Sequence, residues 1–245
     1  FAGNLTSDVD EVVEGRMAHQ VDGIILASVS MSNDLTKRLR DLKMPFVLFN
    51  RGQEDKSLPA VTASNFEGGR IAGRFLAAGG HTRIAHIAGW QGSLNGRDRQ
   101  AGFVAGLKEQ GLEPFAIRDS RYHRNKAIED TLALFEQPAT PDAIFCGNDH
   151  MAFAVLEALR CTLGLRVPED VSVVGYDDVA MAARQLFDLT TLRQPATRMF
   201  ETCVSMLTGM IDKSADPKGH VEIESPLIIR GSARVPETWP EGATA

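Results

Sequence analysis

The segment Val171-Ser172-Val173-Val174-Gly175-Tyr176-Asp177-Asp178 is an almost unbroken apolar run that ends in two carboxylates. A run of this kind fits a strand covered on both faces, as in a parallel sheet, and not the in–out alternation of a half-exposed strand. The design recurs at residues 23–27, 46–49, 84–88 and 143–146. Helical patterns lie around and between these runs, at 8–19, 33–42, 67–78, 97–110, 126–135, 150–163 and 197–211. Gly79-Gly80, Gly111 and Gly164 come after several of them as stop signals. Strand and helix in alternation predict right-handed crossovers and a doubly wound α/β architecture. At 245 residues the chain is long for one such sheet, so two lobes are expected. The chain is expected to cross between them at 61–65 and at Arg193-Gln194-Pro195.

The composition restricts the function. With 43% hydrophobic and 24% charged residues the chain is globular, and disordered or low-complexity classes are excluded. No stretch approaches the ~20 apolar residues of a membrane helix. Lys and Arg number 26 against 32 Asp and Glu, a net charge of −6, which opposes direct wrapping of a nucleic-acid backbone by these residues. Cys146, Cys161 and Cys203 are widely spaced and odd in number, so neither a disulfide framework nor a metal pair is expected, and a reduced, cytoplasmic setting is.

Open α/β sheets bind ligands beyond the carboxyl ends of their strands. Each apolar run in this chain hands over to polar residues of the same few types. Residues 46–49 lead to Asn50-Arg51, and 84–89 lead to a loop with Asn95, Arg97, Asp98 and Arg99. A short run at 115–117 leads to Asp119, Tyr122 and His123; 143–147 ends in Asn148-Asp149 and 171–176 in Asp177-Asp178. Carboxylate, amide, guanidinium and an aromatic face together suit a small polar or polyhydroxylated ligand. Asn148 stands equally well as a ligand contact or as the N-cap of the next helix. Asp149 reads as a cap and Asp178 as a turn residue supporting the site. One of Arg97 and Arg99 is expected to face the cleft. His19 and His220 read as surface residues, and His123 and His150 as solvated or supporting ones.

No G-x-G-x-x-G, G-x-x-x-x-G-K-[ST], G-x-S-x-G, H-E-x-x-H or C-x-x-C string occurs. No nucleophile–base pair or carboxylate dyad stands at useful spacing either. A non-enzymatic binding function without cofactor or metal is the expectation.

Between Val21 and Arg234 the chain resembles the effector-binding core of LacI/GalR-family transcriptional regulators. The strings that carry the resemblance, in family order, begin with V-D-G-I-I-L from Val21, P-F-V-L-F-N-R from Pro45, G-G-R-I-A from Gly68 and G-G-H-T-R-I-A-H-I-A-G from Gly79. They continue with R-D-R-Q-A-G-F from Arg97, P-D-A-I-F-C-G-N-D from Pro141, V-P-E-D-V-S-V-V-G-Y-D-D from Val167 and L-T-T-L-R-Q-P from Leu189.

The resemblance implies two doubly wound parallel-sheet lobes joined by three crossovers, as in type I periplasmic binding proteins, with the effector between the lobes. The expected lobes are 1–64 plus 195–222 and 65–194 plus 223–235, with a disordered tail at 236–245. Residues 1–5 read as the end of a strand, so the first βα unit and the DNA-binding headpiece of the family are expected to precede this sequence. The family's effector contacts map onto Arg99, Asn148 and Asp177, with Tyr122 where an aromatic packs on the ligand and Asn50 and Asn95 in second rank. Ser64, Gln194 and Pro195 are the expected hinge. The implied function is a homodimeric repressor, with a sugar-like effector controlling operator binding; a solute-binding protein of a sugar transporter is the alternative. One departure affects the effector's class: where several sugar-binding relatives carry a stacking aromatic after Gln194-Pro195, this chain has Ala196.

Overall fold

The computed structural model describes residues 21–27, 39, 41, 43–214 and 219–239. The strand end expected at 1–5, the helix at 8–19 and most of that at 33–42 lie outside the described residues. The chain divides into two compact units, Phe1–Ala63 with Pro195–Ile223 and Ser64–Gln194 with Glu224–Ala245, so it passes from one to the other three times.

The first unit holds a parallel sheet of β1 (Ile24–Ala27), β2 (Phe46–Phe49), β3 (Ala60–Ala63) and β9 (His220–Ile223), in the order β1-β2-β3-β9. Successive residues serve opposite faces. Phe46 and Leu48 pack with Leu26 and Leu58 on one side, and Val47 and Val61 pack on the other against Met199 and Cys203 of α5 (Ala196–Ile211). β9 is an addition to the pattern read from sequence, because its Val221 and Glu222 are exposed and leave no apolar run. His220, expected at the surface, is instead partly enclosed: its Nε2 lies 2.6 Å from the Thr62 hydroxyl and its Nδ1 3.2 Å from Lys56. Burial lowers its pKa.

The second unit carries the six-stranded sheet β10-β8-β7-β6-β4-β5. Its strands are β4 (Ile84–Ala88), β5 (Ala116–Asp119), β6 (Ala143–Cys146), β7 (Ser172–Asp177), β8 (Thr190–Arg193) and β10 (Leu227–Ile228), the last antiparallel to β8 and the rest parallel. Its helices are α1 (Asn65–Ala78), α2 (Leu94–Lys108), α3 (Arg124–Phe135) and α4 (Asp149–Glu157), the last continued by a wide π turn over Ala158–Thr162. From β4 the chain goes out to β5, then returns past β4 to β6, β7 and β8. The strand order therefore reverses between β4 and β6, and an α/β sheet places its ligand crevice at such a reversal. Ile144 and Cys146 face one core and Phe145 the other, which explains the unbroken apolar runs.

α1 and α2 approach closely because glycines face backbone. A Cβ on Gly102 would stand 1.9 Å from the Phe66 carbonyl oxygen, and one on Gly69 2.1 Å from that of Arg99. Gly73 and Gly106 repeat the arrangement one turn on. Part of the segment expected as a tail is also seated, since the Trp239 ring packs edge-on against Phe75 at 5.0 Å. Gly102→Ala is expected to cost about 3 kcal/mol, because rigid backbone must move to admit the methyl. Denaturant unfolding of the pure variant measures this.

Candidate functional site

Arg99 is the most informative residue. It lies on the second turn of α2, whose start is fixed by the Ser93 side chain accepting the Gly96 N–H, and it is only 4% exposed. Its Nε donates to Asn65 Oδ1 at 2.8 Å and its Nη1 to the Gly147 carbonyl at 2.6 Å. Nη1 also lies 3.5 Å from Asp177 Oδ1, and the guanidinium carbon stands 3.6 Å above the centre of the Tyr176 ring. Tyr176 is itself held by a bond from its hydroxyl to Ser225 Oγ. Burial, the largest single influence, favours a neutral side chain, but Asp177 together with Tyr176, Tyr122 and Asp149 outweighs it and keeps Arg99 cationic. The bonds engage Nε and Nη1; Nη2 is the donor they leave over.

The Gly147 carbonyl that receives Arg99 sits just after β6. A Cβ on Gly147 would come within 2.7 Å of the Gly89 nitrogen just after β4, so the guanidinium stands at the reversal between these strands. Asn148, left open by sequence, proves to be the N-cap of α4, with Oδ1 accepting the Met151 N–H at 2.9 Å. The cap does not use its amide nitrogen. Asp149, read as a cap, is instead fully buried and turned inward. Its two carboxylate oxygens accept from the Val179 N–H at 2.9 Å and the Thr191 hydroxyl at 2.6 Å. Asp178 is paired with Arg193 at 2.6 Å and Arg230 at 2.7 Å.

Three of the sequence-derived contact residues occupy left-handed backbone: Asn50 at φ 55°, Tyr122 at φ 63° and Asp177 at φ 126°. Arg121 and Asp178 share this at 54° and 56°. Such conformations cost about 1–3 kcal/mol each and gather where a site demands a particular presentation. The Tyr122 ring packs against Gly89, where a Cβ would come within 2.1 Å of it. Asn95 sits in the first turn of α2, one turn before Arg99. Arg99, Asp177, Asn148, Tyr122 and Asn95 thus share the carboxyl rim of the second unit's sheet, whereas Asn50 comes directly after β2 in the first. Gln194, expected only as a hinge residue, also donates from Nε2 to Asp177 Oδ1. Asn65 and Tyr176, which hold Arg99, carry no sequence signal beyond lying at the start of α1 and the end of β7.

Behind Arg99, His86 stacks on Phe145 at 4.7 Å and donates from Nδ1 to the Phe145 carbonyl. Burial holds its pKa down at about 4. Among the described residues no group of His, Cys, Asp and Glu could hold a metal ion, and no helix is long and apolar enough to cross a membrane. All three cysteines are free.

A parallel-sheet unit with its polar residues at the strand reversal is the architecture of ligand-binding α/β domains. Comparison with known proteins specifies which. The periplasmic binding protein-like domain matches residues 74–233. The HTH-type transcriptional repressor PurR of Pectobacterium carotovorum is 34% identical over 223 residues, which cover 87% of this chain and 63% of the repressor. A LacI transcriptional regulator from a Rhodococcus species superposes with a TM-score of 0.83 at 30% identity, covering 91% of this chain and 82% of that one. The transcriptional regulator CelR in complex with cellobiose superposes at 0.81 with 31% identity, covering 91% and 70%. The chain belongs to the LacI family of regulators, whose effector-binding, periplasmic-binding-protein-like core it represents. It spans 63% of the PurR repressor it matches.

The buried histidine gives a test with a definite sign. With a folded pKa near 4, His86 stays neutral in the native protein while the unfolded chain takes up a proton below about pH 6.5. Its stabilising contribution is therefore complete above about pH 6.5 and is lost as pH falls towards 4. His86→Leu is expected to gain about 2 kcal/mol relative to wild type between about pH 7.5 and about pH 5, read from urea unfolding at both.

Proposed function

We propose that this chain is the effector-sensing core of a transcriptional repressor. It binds a small polar effector, a sugar or sugar derivative, and passes that event to a DNA-binding headpiece outside the residues described. The observation that carries this reading is the preorganised Arg99 at the strand reversal, with a guanidinium nitrogen left over for a ligand and Asp177 3.5 Å away to pair with ligand hydroxyls. Arg99, Asp177 and the Asn148 amide grip the effector, Tyr122 packs on it, and Asn95 and Asn50 supply further bonds. Ser64, Gln194 and Pro195 act as the hinge. Gln194 connects hinge and site directly, because its side chain bonds Asp177 while its peptide bond leads into the other unit.

A ligand can shift such a hinge only by its differential affinity for two conformations, typically about 1–3 kcal/mol. A homodimer working in the cytoplasm, with its three thiols reduced, completes the reading. The complex of the CelR relative with cellobiose supports a sugar-like effector; Ala196 in place of a stacking aromatic leaves the face of the ring to Tyr122.

Thermal denaturation against a panel of sugars, sugar phosphates and nucleobases tests the proposal. A true effector at about 100 times its Kd adds roughly 2.7 kcal/mol of stability. Arg99→Ala and Asp177→Ala are expected to abolish that gain while keeping a native circular dichroism spectrum. Wild-type stabilisation in either variant overturns the site.

A further inference from the structure

Trp90 comes two residues after β4, directly behind Gly89, and its indole is 38% exposed. That leaves on the order of 100 Å² of aromatic surface in water. The ring is nevertheless seated, for it packs against Gly92, where a Cβ would stand 2.3 Å from two indole carbons. The backbone beneath is closed as well: the Trp90 carbonyl accepts the Ser93 N–H at 3.1 Å and the Ser93 hydroxyl at 2.9 Å. A Cβ on Gly96 would come within 2.4 Å of the same oxygen, so the start of α2 lies against the Trp90 backbone. A ring held in this way gives up little freedom when a ligand stacks on it.

The place and the chemistry of this turn point to a ligand of one kind. Gly89 is where the Tyr122 ring packs and where Gly147, whose carbonyl takes Arg99, comes against the end of β4. Trp90 continues that rim by one residue. Residues 89–96, Gly-Trp-Gln-Gly-Ser-Leu-Asn-Gly, carry no charged side chain. Gln91 and Asn95 add amides to the same turn, and the bond from Gln91 Nε2 to the Gly89 carbonyl at 2.8 Å does not use Oε1. An aromatic surface with amides beside it and no ion matches a sugar ring, whose C–H face meets the indole and whose hydroxyls meet the amides. A phosphate or carboxylate would find no countercharge in this turn.

We propose that Trp90 is a specificity-determining residue that stacks on a second, uncharged sugar ring, so that the effector is a disaccharide. Arg99, Asp177 and Tyr122 hold the first ring. The inference rests on the effector-site reading for that first ring, and on the turn at 89–96 for the second. Tyr122 already covers one ring in that reading, which leaves the Trp90 surface over for another.

Tryptophan fluorescence is the test. The chain has two tryptophans, Trp90 and Trp239, so Trp239→Phe leaves Trp90 as the only indole emitter. If that variant does not fold, the difference between wild type and Trp90→Phe reads the same emission. Cellobiose, maltose and lactose are each added at about 10 mM, ten times a weak Kd of about 1 mM. At least one should change the Trp90 emission, and glucose at the same concentration should not. By titration calorimetry, Trp90→Ala should weaken the responding disaccharide about tenfold, and Trp90→Phe, which keeps a ring, should stay within about threefold of wild type. No response to any of the three, adenosine alone responding included, overturns the inference. So does an equal response to glucose, or a loss below about threefold in Trp90→Ala. An emission that moves with protein concentration and not with sugar assigns the indole to contact between copies and overturns it too. The two readings fail separately. Disaccharide binding that survives Arg99→Ala overturns the Arg99 site and leaves the Trp90 contact standing. A ligand whose stabilisation needs Arg99 but leaves the Trp90 emission unmoved does the reverse.

Discussion

A guanidinium removed from water must be surrounded by acceptors and countercharge, and most of the second unit's rim is arranged around that requirement. Deserting a buried charge costs about 3–5 kcal/mol, more than most single contacts contribute. Arg99 is accommodated by an amide from α1, a carbonyl after β6, a carboxylate at the end of β7 and the face of Tyr176. Three separate elements, α1, β6 and β7, are thereby indexed to one side chain of α2. The glycine contacts between α1 and α2 serve the same end, since Asn65 could not meet Nε if the helices stood a methyl group further apart. Packing and polarity act here as one constraint.

Much of this was legible in the sequence, for identifiable reasons. The buried parallel strands declare themselves as unbroken apolar runs, and strands deliver their next polar residues to one end of the sheet. Arg99, Asn148, Asp177 and Tyr122 stand among the residues that rule delivers, and the resemblance to the LacI/GalR family is what singles them out. Four kinds of information were not legible. Edge strands such as β9 and β10 are short or half-exposed and lack the run that marks the central ones. The direction of a side chain within a helix's first turn is a tertiary matter: Asn148, open between cap and ligand contact, caps, and Asp149, expected as a cap, turns inward. Backbone strain has no signature in residue identity, and Asp177 at φ 126° looks like any strand-final aspartate. The spacings Gly69–Gly73 and Gly102–Gly106 stand in the sequence, but nothing there says that they face one another.

Residues 224–239 have a further consequence, concerning the order in which the molecule is made. They belong to the second unit although the chain has by then visited the first: β10 pairs with β8, Ser225 bonds Tyr176, and Arg230 neutralises Asp178. On the ribosome, β8 therefore emerges with an open edge, and the acidic end of β7 with half its countercharge, while α5 and β9 are still being synthesised. The second unit cannot be finished before residues 224–239 have been translated. Its nascent form must pass through an interval with an unpaired strand, when contact with another copy is most hazardous.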